Sequence, residues 1–202
     1  LRDAVDAVLE QESEMSVIAS IEAEYRRYKA LAEAAVSQVG DEQLSELGPG
    51  GGNSIEMLVR HLSGNLRSRF TDFRTSDGEK PWRNRDDEFE AATLSRQQLL
   101  EGWDAGWRAL LETIGGLTDA DLSATVTVRN QPMRIDEALH RSLAHAAYHV
   151  GQIVYVAKAM RAESWTCLSI PRGGSQAHNQ SGRPENATAH AATLAARITR
   201  QS

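Results

Sequence analysis

The chain has almost no cysteine. Cys167 stands alone among 202 residues, which excludes an intrachain disulfide, a cysteine-based zinc knuckle and a CxxC redox pair. A reducing cytoplasm is therefore the expected compartment. Basic charge is also in deficit: 22 lysines and arginines against 28 aspartates and glutamates leave a net charge of −6. Such a chain has no diffuse positive field to draw it onto nucleic acid or an anionic membrane, so small molecules or protein partners are the expected ligands. No run approaches the roughly 20 apolar residues that span a bilayer. Leu1 to Glu14 carry acid where an export signal would be basic and then apolar. Leu1 stands where a start methionine would and Met15 is an alternative start, so residues 1–14 are set apart as an N-terminal extension. Repeats, coiled-coil runs and low-complexity tracts are missing too. That leaves one domain, over residues 15–180, with a core to be built from a chain that is 41% hydrophobic.

What is present is helical periodicity. Ile18, Ile21, Tyr25, Tyr28 and Ala32 recur at spacings of three and four, and Gly40 stops that first helix. Gly48 to Gly52 reads as a linker, because no Walker lysine follows the glycines. Asn53, with Glu56 three residues on, predicts the start of a second helix whose stripe is Ile55, Leu58, Leu62, Leu66, Phe70 and Phe73, ending near Thr75. Ser76 to Glu90 is polar, holds Pro81 and lacks a core-facing stripe, so a long loop is expected. Loops of that length are uncommon unless they serve a function.

Ser95 and Gln98 form a second capping box, opening a third helix with Leu99, Trp103, Trp107, Leu110 and Ile114 on its core face. The two tryptophans are core by their spacing. Leu122 to Val128 alternates, and a turn-like Arg129 to Pro132 follows, which allows a short β-hairpin. Asp136 is expected to cap a fourth helix carrying Leu139, Leu143, Ala146, Val150, Ile153 and Ala157 to about Arg161. Ser164 to Gln180 should be an irregular segment wrapping the bundle. Residues 181–202 form a C-terminal extension, weakly helical or frayed. The fold class is all-α, a four-helix bundle with a short hairpin before the fourth helix.

The fourth helix contains HAAYHVGQ, from His145 to Gln152. At about 100° per residue, His145 and His149 lie roughly 40° apart, one turn above each other, at the edge of the apolar arc. Two imidazoles at this spacing are the device that HExxH helices use to hold zinc, but a pair is only half a site. Surface or hydrogen-bonded histidine is the competing reading. His61 lies in or beside the core stripe of the second helix, where a buried unpaired ring costs on the order of 1–3 kcal/mol. A metal shared with His145 and His149 would pair it. Three neutral imidazoles leave positions for water or substrate, as in catalytic rather than structural sites.

These residues resemble the DinB-like family of metal-binding four-helix bundles, in which one histidine of helix two and an HxxxH pair followed by Gly-Gln in helix four bind a divalent cation. The matching positions are His61, His145 and His149. The likeness is closer to a subgroup of unknown function through Asn53 to Phe73, Thr75 to Phe89, His149 to Lys158 and Leu168 to Ser175, and it spans about Met15 to Gln180. The resemblance implies a divalent cofactor (zinc, nickel, iron or manganese), a homodimer, and relatives that differ in reaction: thiol S-transferases using low-molecular-weight thiols, and an isomerase.

The expected function is accordingly a metal-dependent enzyme, a thiol S-transferase-like protein or a hydrolase, acting on a small molecule. The competing class is a non-catalytic dimeric bundle with a structural or sensory metal. Asn65 and Gln152, each about one turn from a ligand, are candidates to orient a ligand or a histidine, with ordinary hydrogen bonding as the alternative. Arg83, Arg85 and Arg172 are candidates to bind carboxylates of a cosubstrate. A salt bridge to Asp86 and Asp87 is the competing role for Arg83 and Arg85. Cys167 has apolar neighbours that argue against an activated thiolate.

Overall fold

The computed structural model describes residues 16–199, so the N-terminal extension expected at 1–14 lies outside the described residues. In chain order the elements are helices α1 (Val17–Val36), α2 (Asp41–Ser45), α3 (Ile55–Phe70) and α4 (Arg96–Gly115), strands β1 (Thr125–Val128) and β2 (Gln131–Arg134), then α5 (Ile135–Arg161), α6 (Ser175–Gln180) and α7 (Ala187–Ile198). The four long helices close a ring, α1 packing on α5, α5 on α3, α3 on α4 and α4 on α1. This is the expected all-α four-helix bundle, with its antiparallel hairpin immediately before the fourth long helix. No helix among the described residues is long and apolar enough to cross a membrane.

The predicted stripes meet along the bundle axis. Tyr25, Ile55, Leu58, Leu62, Leu66, Trp107, Leu110, Ile114, Ile135, Leu139 and Ile153 are all under 2% exposed. Tyr25 is tolerated there because its hydroxyl donates to the Leu139 carbonyl at 3.0 Å, while its ring meets Trp107 edge-on. Leu143, expected in the core, is only partly buried. At Gly106 a side chain would place Cβ 2.6 Å from the Ser63 carbonyl oxygen. Only a glycine lets the α4 backbone come this close to α3.

Helix starts differ from expectation in two places. The α3 cap is Ser54, whose hydroxyl accepts from Met57 N, and not Asn53. Glu56 does not reach back either; it is buried and its Oε1 has no hydrogen-bond partner. A serine one position later supplies the acceptor equally well, which is why a box of four letters misplaced the start by one residue. Similarly, α5 begins at Ile135 with Arg134 at the cap position. Asp136 sits inside the first turn, where its carboxylate accepts from Arg134 and from Glu137 N. The capping box of α4 forms as expected, Ser95 and Gln98 each accepting from the other's backbone.

The polar segment after α3 is no free loop. Arg129 and Asn130, at the hairpin tip, both have positive φ, 54° and 60°, the pattern of a two-residue type I′ turn. The Asp77 carboxylate grips that tip, Oδ1 accepting from Arg129 N at 2.9 Å and Oδ2 from Asn130 N at 2.7 Å. Gly78 N donates to the Thr127 carbonyl, and Ser68 Oγ to the Gly78 carbonyl. Residues 76–90 thus form a strap pinned to both hairpin and helix, ending in a 3₁₀ turn at Asp86–Phe89. Hydrogen bonds from the backbone of Glu79 and Asn130, with Arg129 adding, hold the Asp77 carboxyl below its usual range. A depressed folded-state pKa means the grip is present at neutral pH and is lost as pH falls through that value. Asp77→Ala should therefore speed amide exchange at Glu79, Arg129 and Asn130 at neutral pH, and the parent should show the same loosening only in acid.

Beyond α5, Gln38 bridges to Thr166, accepting from its amide at 2.8 Å and donating to its carbonyl. The C-terminal extension, expected to be weakly helical or frayed, forms α7 along α1 with Leu194 fully buried. Asn186 caps it, His190 contacts the Leu168 carbonyl, and Arg197 donates to the Cys167 carbonyl. One buried leucine and two cross-links anchor it, features too sparse to leave a strong periodic signal.

Candidate metal centre

α3 and α5 pack side by side, and their facing sides bring His61, His145 and His149 together. His61 is 3% exposed and His149 8%, while His145 is half-buried. His145 Nε2 lies 3.2 Å from His61 Nε2 and 3.1 Å from His149 Nε2. Three nitrogens held about 2.0–2.1 Å from a common tetrahedral cation stand roughly 3.3–3.4 Å apart. The observed spacing is close to that value, and the group could hold a metal ion.

The remaining ring nitrogens decide which lone pairs face inward. His61 Nδ1 lies 2.8 Å from Glu88 Oε2. Although burial raises the Glu88 carboxyl, hydrogen bonds from His61 and Arg83 hold it below the usual carboxylate range, so it is ionised and must accept. In its neutral form, with the proton on Nδ1, His61 presents the Nε2 lone pair. His149 Nδ1 donates to Gln152 Oε1 at 2.8 Å, which fixes the same tautomer. Burial, with the His149 and His61 rings adding, pushes His145 down to about 4. Burial and His61 lower His149 as well. Both are neutral at pH 7, the form that binds metal.

Protein atoms alone cannot satisfy this arrangement. His145 Nε2 carries at most one proton, yet two lone pairs point at it, and its Nδ1 is buried without a partner. With the proton on Nδ1 three neutral rings face one another by their lone pairs; with it on Nε2 one neighbour is met and the other is not, and Nδ1 lacks a partner in either case. A cation accepting all three Nε2 lone pairs removes the conflict, so the donor set fits a divalent metal.

Arg83 and Glu88 support the centre from the strap. Arg83 donates from Nε to Glu88 Oε1 at 2.8 Å and from a terminal nitrogen to Oε2 at 2.9 Å, with only 3% of its side chain exposed. The expected pairing of Arg83 with Asp86 or Asp87 is thus replaced by a buried fork onto Glu88. Arg85 does lie 3.6 Å from Asp86, in solvent, and its guanidinium stands over the Phe89 ring. Phe89 in turn packs on His61. Gly64, one turn beyond His61, leaves room for the carboxylate: a Cβ there would stand 2.2 Å from Glu88 Oε1. Gly64→Ala should therefore push Glu88 off His61 and weaken metal binding by about 10–100-fold. Isothermal titration with the metal, beside an unchanged far-ultraviolet spectrum, checks it.

The centre opens into a cavity of about 680 Å³ that Asn65, Gln152, Arg83 and Arg85 also line. Gln152 holds His149, whereas Asn65 makes no side-chain hydrogen bond to the described residues. Arg172 is exposed and does not line this cavity. Glu88 was missed from sequence. Its one signal is indirect: a histidine on a core stripe needs a partner, and the polar strap carries aromatic residues, Trp82 and Phe89, that argue for packing.

A family model described as a protein of unknown function, DUF1572, matches residues 12–174. No curated protein and no solved structure matches the chain.

Proposed function

The chain belongs to the DUF1572 family, a DinB-like family, and on that premise we propose that it is a divalent-metal enzyme whose centre is His61, His145 and His149. The observation that carries this reading is the convergence of three Nε2 atoms, two with fixed inward lone pairs, at the wall of a cavity large enough for a small molecule. A structural site would be closed by a fourth protein ligand; here the histidines are the only metal-binding group among the described residues. Held by His61, His145 and His149, a divalent cation would keep most of its charge and would supply acidification of a bound water or thiol.

The protein's own part is positional. Glu88 and Gln152 hold two rings in the ligating tautomer, Arg83 keeps Glu88 ionised, and Asn65 offers a hydrogen-bonding group one turn from His61. A nucleophile placed here serves either thiol transfer or hydrolysis. In the transfer, the thiol sulfur bonds to an electrophilic carbon, the leaving group departs with the bonding pair, and the thiol proton passes to solvent. Cobalt-loaded protein titrated with glutathione tests the thiol reading: a thiolate-to-metal absorption band is expected. No spectral change with any low-molecular-weight thiol, together with no metal-dependent ester hydrolysis, would overturn an enzymatic role.

A further inference from the structure

The cavity is cationic in a chain that is not. Arg69 from α3, Arg83 and Arg85 from the strap, Arg129 from the hairpin tip and Arg141 from α5 all line it, and no aspartate or glutamate does. Four carboxylates outside the lining answer them, one being Asp77, which grips the hairpin tip and whose carboxyl is lowered by backbone hydrogen bonds and in part by the Arg69 charge. Glu88 takes Arg83, Asp86 stands near Arg85, and Glu79 is shared, its Oε2 accepting from Arg69 at 3.3 Å and from Arg129 at 2.9 Å. Five guanidinium groups against four carboxylates leave a positive surplus, before any metal is counted.

The surplus is local to two positions. Arg141 makes no hydrogen bond or ion pair with any described residue. Arg69 and Arg129 divide one carboxylate oxygen, and Arg69 Nη1 is buried with no acceptor. Burial, opposed by Glu79 and reinforced by Arg129 and Arg83, lowers the Arg69 pKa, as expected where acid is too scarce. Another wall of the same cavity is apolar, made by the stacked rings of Phe70 and Phe73 with Val128 and Met133. Guanidinium forks match carboxylate and phosphate oxygens two at a time, which an ammonium does not.

We propose that the cavity takes a small molecule with two parts, an oxyanion group held by Arg129 and Arg141 with Arg69 behind them, and an apolar body laid on Phe70, Phe73 and Met133. The oxyanion is a carboxylate or a phosphate ester. A volume of about 680 Å³ suits such a ligand. The inference deepens the metal-centre reading by naming what is presented to the histidines, and it rests on that reading only for which end reacts.

The test is calorimetric titration of metal-loaded protein with 3-phenylpropionate, phenyl phosphate and the neutral 3-phenylpropionamide, repeated on Arg141→Gln and on Arg129→Gln/Arg141→Gln. Metal content is measured on every sample. Both arginines are exposed, so the folded chain should survive, and a far-ultraviolet spectrum verifies it. At least one acid should bind about tenfold or more tightly than the amide, the double variant should lose that preference, and its metal content should match the parent. The stronger of the two acids identifies the oxyanion. Equal binding of acid and amide, equal binding by parent and double variant, or no saturable binding of either acid at millimolar concentration would overturn the proposal. Arginine-dependent binding in a protein that holds no metal would overturn the metal-centre reading and leave this one standing.

Discussion

Glu88→Ala should cost about 3–5 kcal/mol of folding stability, the toll of stripping one partner from a buried charged pair. Three facts set the size. The Arg83 side chain is 3% exposed and donates two hydrogen bonds to this one carboxylate, so its removal strands a full positive charge away from water. His61 Nδ1, also buried, loses its acceptor in the same stroke. And the strap loses one of its links to α3, leaving Arg60, which donates to the Asp87 and Glu90 carbonyls, to hold it there. Glu88→Gln keeps an acceptor for His61 but not the charge that answers Arg83, and should fall between alanine and parent. Urea midpoints at constant slope give the stability change, and metal affinity measured in parallel should fall about 10–100-fold. A loss under 1 kcal/mol for alanine would show that Arg83 finds water or another acceptor, and that the relay is not what holds the strap.

Metal should raise the melting temperature of the parent by on the order of 10 °C. A ligand present at about a thousand times its dissociation constant adds about 4 kcal/mol to the folded state, and in a domain of this size each kcal/mol is worth about 2–4 °C. His145→Ala sharpens the expectation because its two effects separate. In the metal-free protein the substitution removes a half-buried ring whose Nδ1 is unpartnered and whose Nε2 faces two lone pairs, so little stability should be lost. With metal added, the increment should vanish. A core histidine held by hydrogen bonds would behave the other way round, the variant being weakened with or without metal. Equal metal-induced shifts in parent and His145→Ala would remove His145 from the ligand set.

How much of this was legible in the sequence depends on the length scale of each interaction. The four long helices announced themselves because burying one face of a helix imposes a 3.6-residue rhythm that survives over five turns. The hairpin was legible from seven alternating residues and a turn. Helix caps were legible only to within one or two residues, since Asn53 and Ser54 are both good acceptors, and Asp136 lies two past the Arg134 cap. His61 could be read because it falls on a stripe where a polar ring is anomalous, and His145 with His149 because one helical turn brings them together. Their joint family likeness agrees with the match over residues 12–174.

Glu88 escaped for a different reason. It lies in a segment with no periodicity, among neighbours of the same charge, and meets His61 across 27 residues of chain. The contact exists because Asp77 pins the strap to the hairpin and Gly64 vacates the space for the carboxylate. None of those contacts has a signature in a short window. Arg83 was noticed as a candidate for a cosubstrate carboxylate, with the adjacent acids as its competing partners; burial selects Glu88, since a fork onto a buried carboxylate is favoured over pairs that water screens. The helix of α7 was only weakly legible because a single buried leucine, Leu194, anchors it.

The most direct test of the three-histidine centre is X-ray absorption at the metal edge of protein purified without a histidine tag and loaded with one equivalent of zinc. The account predicts one zinc per chain with three imidazole nitrogens at about 2.0–2.1 Å, falling to two in each of His61→Ala, His145→Ala and His149→Ala if zinc is retained at all. Fewer than three imidazoles in the parent, or an unchanged spectrum in His61→Ala, would contradict it.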